Sequence, residues 1–275
     1  MSMIKLSYLS AVLIKGNDAG DFLHNQVSSD ILGLKPGEST LACYCEPKGR
    51  VLSLMLVSAQ NDGYLVILAK TLSEAIIKRL RMYVLRAKVE IEVLENHDVA
   101  GLVSASSDDK VPESVYSQLQ IPQSSLSYQV LEKGASPDSS TAEQDAWKHA
   151  ELQNGISWLG TATSGEFLPQ FLGFDDIGAV NYKKGCYPGQ EIVARTHYLG
   201  KVKRHPRLIC SESLIGPNQM EKVKIFSGDD SFDAVTVDFA FDENKGNCLL
   251  VVTRMDPELT AEKVEYLEQT VELVN

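Results

Sequence analysis

The stretch KKGCYPGQEIVAR, residues 183–195, holds the densest set of reactive residue types in the chain. It places Cys186 after two lysines and ahead of a Pro-Gly pair, a glutamate and an arginine. A cysteine attacks or ligates as its thiolate, and nearby cations or the free N–H groups of a helix start favour that form. Pro188 suits the first position of a helix that GQEIVAR continues, and Gly200 can end that helix or a following turn. Cys186 would then stand at a helix start with Lys183, Lys184 and Arg195 near it. Gly185 and Gly189 carry no side chain, which lets a ligand approach the backbone. A competing reading makes Cys186 a small buried hydrophobe in a turn. The residues by themselves leave both open.

Other reactive types are scattered. The absence of a Cys-x-x-Cys argues against dithiol redox chemistry and against a closed zinc site. Cys43 and Cys45, in CYC, share one face of a strand, the pattern of two core cysteines. His24, His97, His149, His197 and His205 show no metal-ligand spacing, so no metal site is expected. His197 is close to Cys186 in sequence, which does not make a Cys–His pair. A basic run of Arg195, Lys201, Lys203, Arg204 and Arg207 has no acidic residue between positions 192 and 211. It fits a carboxylate tail, a phosphate or an acidic partner, or else a strand edge guarded by lysines. Lys48 and Arg50, in CEPKGR, lie on a turn between strands and can reach a ligand or solvent. Trp147 begins a helical stretch with Gln144 and His149 nearby. Its flat indole suits a planar heterocycle, or the core.

The elements that must position these residues follow from patterning. NDAGDFLHNQVSSDI reads as a helix capped by Asn17 or Asp18, with Ala19, Phe22, Leu23 and Val27 on one face. VLSLMLV and YLVIL are strands around a QNDG turn. TLSEAIIKRLRMYVL is a stronger helix, with Thr71 and Glu74 at capping-box spacing. AKVEIEVLE alternates as a half-buried strand. Residues 104–145 are loop-rich, and EKGASPDSSTAEQD is the clearest linker. AWKHAELQNG is a short helix closed by Gly155. Beyond Gly200, HPRLIC, EKVKIF, DAVTVDFAF, NCLLVVTRM and EKVEYL are closely spaced strands of a small barrel or sandwich.

The totals bound the class. A chain of 275 residues has room for two or three compact units. A formal net charge of −11 opposes general affinity for nucleic acid or an anionic membrane. Direct nucleic-acid binding and membrane association are therefore not expected. MSMIKLSYLSAVLIKG lacks a basic front and a small-residue cleavage site and reads as a first strand. Five cysteines, odd in number and scattered, argue against a disulfide framework and fit a reducing cytoplasm.

KKGCYPGQEIVAR closely resembles the signature of the YgfZ family, roughly Lys-Gly-Cys-Tyr-x-Gly-Gln-Glu followed by Ala-Arg. IKGNDAGDFLHNQVSSDI, CEPKGR and ISWLGTATSGEFLPQFLGFDDIGAVNYKKGC continue the resemblance in the same order. It covers most of residues 10–205, and the tail matches only in its β character. The resemblance implies an α+β fold of the folate-dependent aminomethyltransferase (T-protein) superfamily, with three domains around a central hole. The front domains would be split and ferredoxin-like: 1–45 plus 141–200, with 46–140 inserted. Residues 201–275 would form a C-terminal β-barrel.

The same resemblance implies tetrahydrofolate binding and support for assembly or repair of iron–sulfur client proteins. An effect on tRNA thiomodification would be indirect. Cys186 would be the functional thiol, with Lys184 and Gly185 in its motif. Trp147 aligns with a folate-contacting tryptophan by its spacing to TSG, and a second family tryptophan falls on Leu9. Lys184, Gly185, Lys48, Arg50, Arg86 and Arg195 complete the expected folate contacts. The alternative is a true aminomethyltransferase of glycine cleavage. Those enzymes resemble Gly-Gly-x-x-Asp-Asp-x-x-Val where this chain has GRVLSLMLV, so Ser53 and Leu54 replace two aspartates. A serine cannot supply the carboxylate that orients the folate nitrogens.

Overall fold

The structure is a computed structural model. It describes residues 2–103, 115–122, 124–214, 218–267 and 269–274. The amino-terminal apolar stretch, expected as one strand, forms two: β1 (Ser2–Lys5) and β2 (Leu9–Lys15). They join different sheets. The first sheet orders its strands β3-β4-β5-β2-β6, with β3 (Ser39–Cys45), β4 (Val51–Gln60), β5 (Gly63–Ala69) and β6 (Glu90–Val93). β3 and β4 pair directly, so this sheet takes strands from both sides of residue 45. The centre of β4 is buried on both faces, which explains its nearly unbroken apolar sequence.

Two helices serve this sheet. α1 (Ala19–His24) is shorter than its sequence pattern predicts. The Asp18 side chain does not cap it, and instead accepts the Lys88 N–H at 2.6 Å. α2 (Lys70–Val84) buries Leu72, Ile76, Ile77 and Leu80 at helical spacing. The capping box expected of Thr71 and Glu74 does not form, because the helix already starts at Lys70 and Thr71 lies within its first turn.

The second sheet has the order β1-β7-β9-β8, with β7 (His97–Val103), β8 (Val115–Gln120) and β9 (Ser127–Glu132). The SASSDDKVPES loop, 104–114, lies outside the described residues. The rest of the stretch expected to be loop-rich instead supplies two strands and a helix start. α3 (Thr141–Gln153) begins inside the expected linker. Ser140 caps it: its hydroxyl accepts the Glu143 N–H at 3.2 Å, and the Glu143 carboxylate accepts the Ser140 N–H at 2.8 Å.

The third sheet holds β10 (His205–Ser211), β11 (Lys222–Ser227), β12 (Asp230–Asp242), β13 (Gly246–Thr253), β14 (Lys263–Tyr266) and β15 (Gln269–Glu272). Its order is β10-β13-β12-β11-β14-β15, all antiparallel. The expected closed barrel is corrected to an open sheet among the described residues. β15 is only four residues long, and among the described residues a single backbone bond crosses between the edges, from the Val274 N–H to the Cys210 carbonyl at 2.8 Å.

Alternation along β13 divides the core. Leu250 and Val252 join the large core that runs through the first two sheets. Leu249 and Val251 face a separate core with Ile209, Ile225 and Val264. Cys210 and Cys248 are directly opposed on β10 and β13 and form a disulfide, against the expectation of free cysteines. Their separation of 38 residues gave no sign of a pairing that the strand register creates. No helix among the described residues is long and apolar enough to cross a membrane.

Candidate functional site

The Cys186 loop is built on two anchors. α1 ends at His24, and the carbonyls just past a helix end lack intrahelical partners. The Lys184 ammonium donates to the His24 carbonyl and, at 2.6 Å, to that of Val27. Burial pushes the Lys184 amine down to about 8, against the opposing pull of Asp30 and Cys186. Lys184 therefore pins the loop and is not a free cation for a ligand. Gln190 supplies the second anchor, donating to the carbonyls of Lys184 at 3.1 Å and Gly185 at 3.3 Å. Tyr187 turns into the interior, while Cys186 is exposed and unpaired. A Cβ built at Gly185 meets no heavy atom within 4 Å, so the approach to the thiol is open.

The next residues fix this loop to the CEPKGR turn. Gly189 has φ +83°, and a Cβ there would sit 2.4 Å from the Glu46 carbonyl oxygen and 2.6 Å from the Gly49 Cα. Only two glycines allow so close a backbone crossing. α4 (Gln190–Tyr198) starts immediately after. Cys186 thus precedes the helix by a clamped turn and does not stand at its first residues, because the chain needs Pro188 and Gly189 to make the crossing. Arg50 on the same turn reaches the Gly165 and Glu166 carbonyls, each at 3.3 Å. The Gly165 N–H donates to the Val51 carbonyl, closing the TSG loop onto β4. Signature loop, turn and TSG loop form one assembly.

A second cluster surrounds a residue that the sequence reading missed. Glu151 on α3 is fully buried. Its Oε1 accepts from Tyr128 at 2.6 Å, Trp158 at 2.9 Å and Trp147 at 3.0 Å, and its Oε2 from Tyr8 at 2.8 Å. Desolvation pushes the carboxyl up to about 7, opposed by the four donors. Trp147 sits against Gly101, where a Cβ would come within 2.4 Å of the indole. Tyr128 meets the same indole edge-on at 5.7 Å. Leu9, where a family tryptophan was expected, lies in the core, and its neighbour Tyr8 supplies an aromatic ring to this cluster. A glutamate four residues after a tryptophan, on the buried face of a helix, was the available signal.

Trp147 also lines a cavity of about 590 Å³ with Ile4, Leu102, Gln118, Gln120 and Ala150. Lys48, Arg50, Arg86 and Arg195 do not line it. Lys48 and Arg50 belong to the Cys186 assembly. Arg86 is exposed just past α2, and Arg195 is exposed on the last turn of α4. Of the basic run, Arg204 lies over the Phe171 ring and borders a separate cavity of about 620 Å³ with Lys222 and Arg254. Arg207 donates to the carbonyls of Asp256 and Pro257. His197 stacks on Tyr182 at 3.7 Å. Cys43 and Cys45 are buried, and burial pushes the Cys45 thiol up to about 12. Ser53 is buried and donates to the Leu54 carbonyl at 2.9 Å.

This arrangement of sheets and clamped loops is the aminomethyltransferase T fold. The crystal structure of the glycine cleavage system aminomethyltransferase T from Bartonella henselae superposes with a TM-score of 0.72 over 99% of this chain and 84% of that one, at 12% identity. In sequence, the tRNA-modifying protein YgfZ of Vibrio atlanticus is 31% identical over 230 residues, 78% of this chain and 71% of the relative. The tRNA-modifying protein YgfZ of Colwellia psychrerythraea is 29% identical over 236 residues, 77% of this chain and 71% of the relative. The chain belongs to the YgfZ family. No model of a protein family matches it.

Proposed function

We propose that the protein binds tetrahydrofolate and supports assembly or repair of iron–sulfur enzymes through the Cys186 thiol. Any effect on tRNA modification, the activity in its relatives' names, is then indirect. The observation that carries this reading is the free, exposed thiol on a loop whose Lys184 and Gln190 side chains are turned back onto the protein. A rigid loop with one outward thiol suits a partner protein's cysteine or cluster better than a small substrate, which needs enclosing walls. Cys186 alone cannot complete the ligand set of a cluster, so a client or a small thiol supplies the rest. The acidic total of −11 disfavours direct contact with RNA.

The cavity beside Trp147 is the site offered for folate. Its volume of about 590 Å³ lies within the usual range for small-molecule sites, roughly 300–1,000 Å³. Ile4, Leu102 and the indole give apolar walls for a flat ring, and the amides of Gln118 and Gln120 offer donors and acceptors at its border. With Trp147 only 4% exposed, the indole acts as a wall held in place by Glu151. Folate would bring an electron-rich heterocycle, and these residues would bind it, orient it and exclude water.

A folate-dependent aminomethyltransferase is the second reading, favoured by the shared fold. Ser53 weighs against it, since its hydroxyl is buried against the Leu54 carbonyl and carries no negative charge. Calorimetric titration with tetrahydrofolate, followed by recovery of the ligand, separates the two. Saturable binding with folate returned unchanged is expected, weakened in Trp147→Phe. One-carbon transfer to or from the ligand would favour the transferase, and no binding would remove the folate reading.

A further inference from the structure

We propose that His149, Cys210 and Cys248 form a redox-gated site for a thiophilic divalent cation such as Zn²⁺, closed while the two sulfurs are joined and able to bind once they are reduced. A ring nitrogen of His149 and both sulfurs lie within 4.8 Å of one another. His149 projects from α3, and Asp242 Oδ2, at the end of β12, lies 2.9 Å from its Nδ1. A carboxylate can only accept, so Nδ1 carries a hydrogen, and the neutral form of the ring has its lone pair on Nε2. His149 is 5% exposed, yet Nε2 has no hydrogen-bond partner. A buried polar atom left unpaired costs stability, and a ligand would satisfy it. Asp242 is itself fixed, its Oδ1 accepting the N–H groups of Asn244 and Lys245 at 2.9 Å each. A carboxylate that orients an imidazole is the usual outer partner of a metal-binding histidine.

The strand ladder keeps the sulfurs adjacent whether or not they are bonded. Cys210 and Cys248 are direct register partners, flanked by the pairs Ile209–Leu249 and Ser211–Asn247. Opposed side chains stand about 4.5–5.5 Å apart at Cβ. Tetrahedral zinc with bonds of about 2.3 Å needs sulfurs about 3.8 Å apart, which small side-chain rotations reach. A dithiol reductant would give two electrons and two protons to the disulfide, leaving two protein thiols and one oxidised dithiol. The cation then displaces the two thiol protons to solvent and takes the Nε2 lone pair. Three protein ligands leave one position for water. Cys186, exposed on a different loop, has no part in this site, and the proposal does not rest on the folate reading.

The test uses the full chain, oxidised or reduced with a phosphine and desalted under argon, and titrated with Co²⁺ alone. The reduced chain is expected to show a stoichiometric thiolate-to-cobalt charge-transfer band with tetrahedral visible bands, both bleached by Zn²⁺. The oxidised chain should show neither. Cys186→Ser should keep the bands and Cys210→Ser lose them, while Asp242→Asn should weaken binding roughly tenfold. Absence of the bands in the reduced wild-type chain overturns the proposal, as does equal binding by the oxidised chain. Loss of the bands in Cys186→Ser also overturns it, since the metal would then sit on the exposed thiol. The comparison of oxidised and reduced wild-type chain decides the matter even where a variant folds poorly.

Discussion

Glu151 and Cys186 are both held by networks of hydrogen bonds, but the two networks point in opposite directions. Around Glu151 four donors from four parts of the chain converge on the reactive group itself. Around Cys186 the bonds go to its neighbours Lys184 and Gly185 and leave the thiol free. The first network spends its polar groups on stability and on shaping a wall. The second makes a loop rigid so that one side chain can stand outside it. Removing the central residue should therefore cost stability in the first case and activity in the second.

Glu151→Ala is the severest test of that contrast. It leaves four donors without an acceptor, three of them on buried residues, and a loss of about 4 kcal/mol is expected in urea unfolding. A loss below about 1 kcal/mol would mean the cluster is not a keystone of the fold. Lys184→Met should come next. It strips the His24 and Val27 carbonyls of their donor and should cost about 1–3 kcal/mol, while Cys186 stays in place. Loss of function in that variant at unchanged stability would show that Lys184 acts on the thiol and not on the loop.

A smaller effect is read from pH. Between the ordinary value of 4.5 and about 7, the folded chain keeps a proton on Glu151 that the unfolded chain releases. Stability from this group is complete below the lower value and falls as pH rises through the upper one. Glu151→Gln should flatten that part of the melting-temperature profile, and an unaltered slope would assign it to another group. The smallest expected change is that of Cys186→Ala, within about 0.5 kcal/mol by the same unfolding measurement. Its complementation of a deletion strain should nonetheless fail. If Cys186→Ala unfolds as readily as Glu151→Ala, the contrast between the two clusters collapses.

The sequence showed the Cys186 assembly far better than the Glu151 cluster, for a physical reason. Lys184, Gly185, Cys186, Gly189 and Gln190 fall within one short stretch, and their unusual types mark one loop. Tyr8 and Tyr128 reach Glu151 from distant segments and Trp158 from just past α3, and none of them is unusual where it stands. Strands after residue 200 were legible because each alternates within itself. Their closure was not, since it depends on how far β15 runs beside β10. Cys210 and Cys248 became partners only through the register of β10 and β13. Ser140 was hidden because polar, small residues look alike whether they cap a helix or link domains.

The split of the amino-terminal stretch between two sheets has a consequence for how the chain is made. β2 can pair with β5 early, but among the described residues β1 has its only ladder with β7, where Ser2 meets Val103. As the polypeptide leaves the ribosome, β1 emerges well before its partner and waits until residue 103 has emerged. Contacts so distant along the chain form slowly. β1 is therefore a late clasp, and a substitution that weakens its pairing with β7 would be felt during translation before it was felt in the finished molecule.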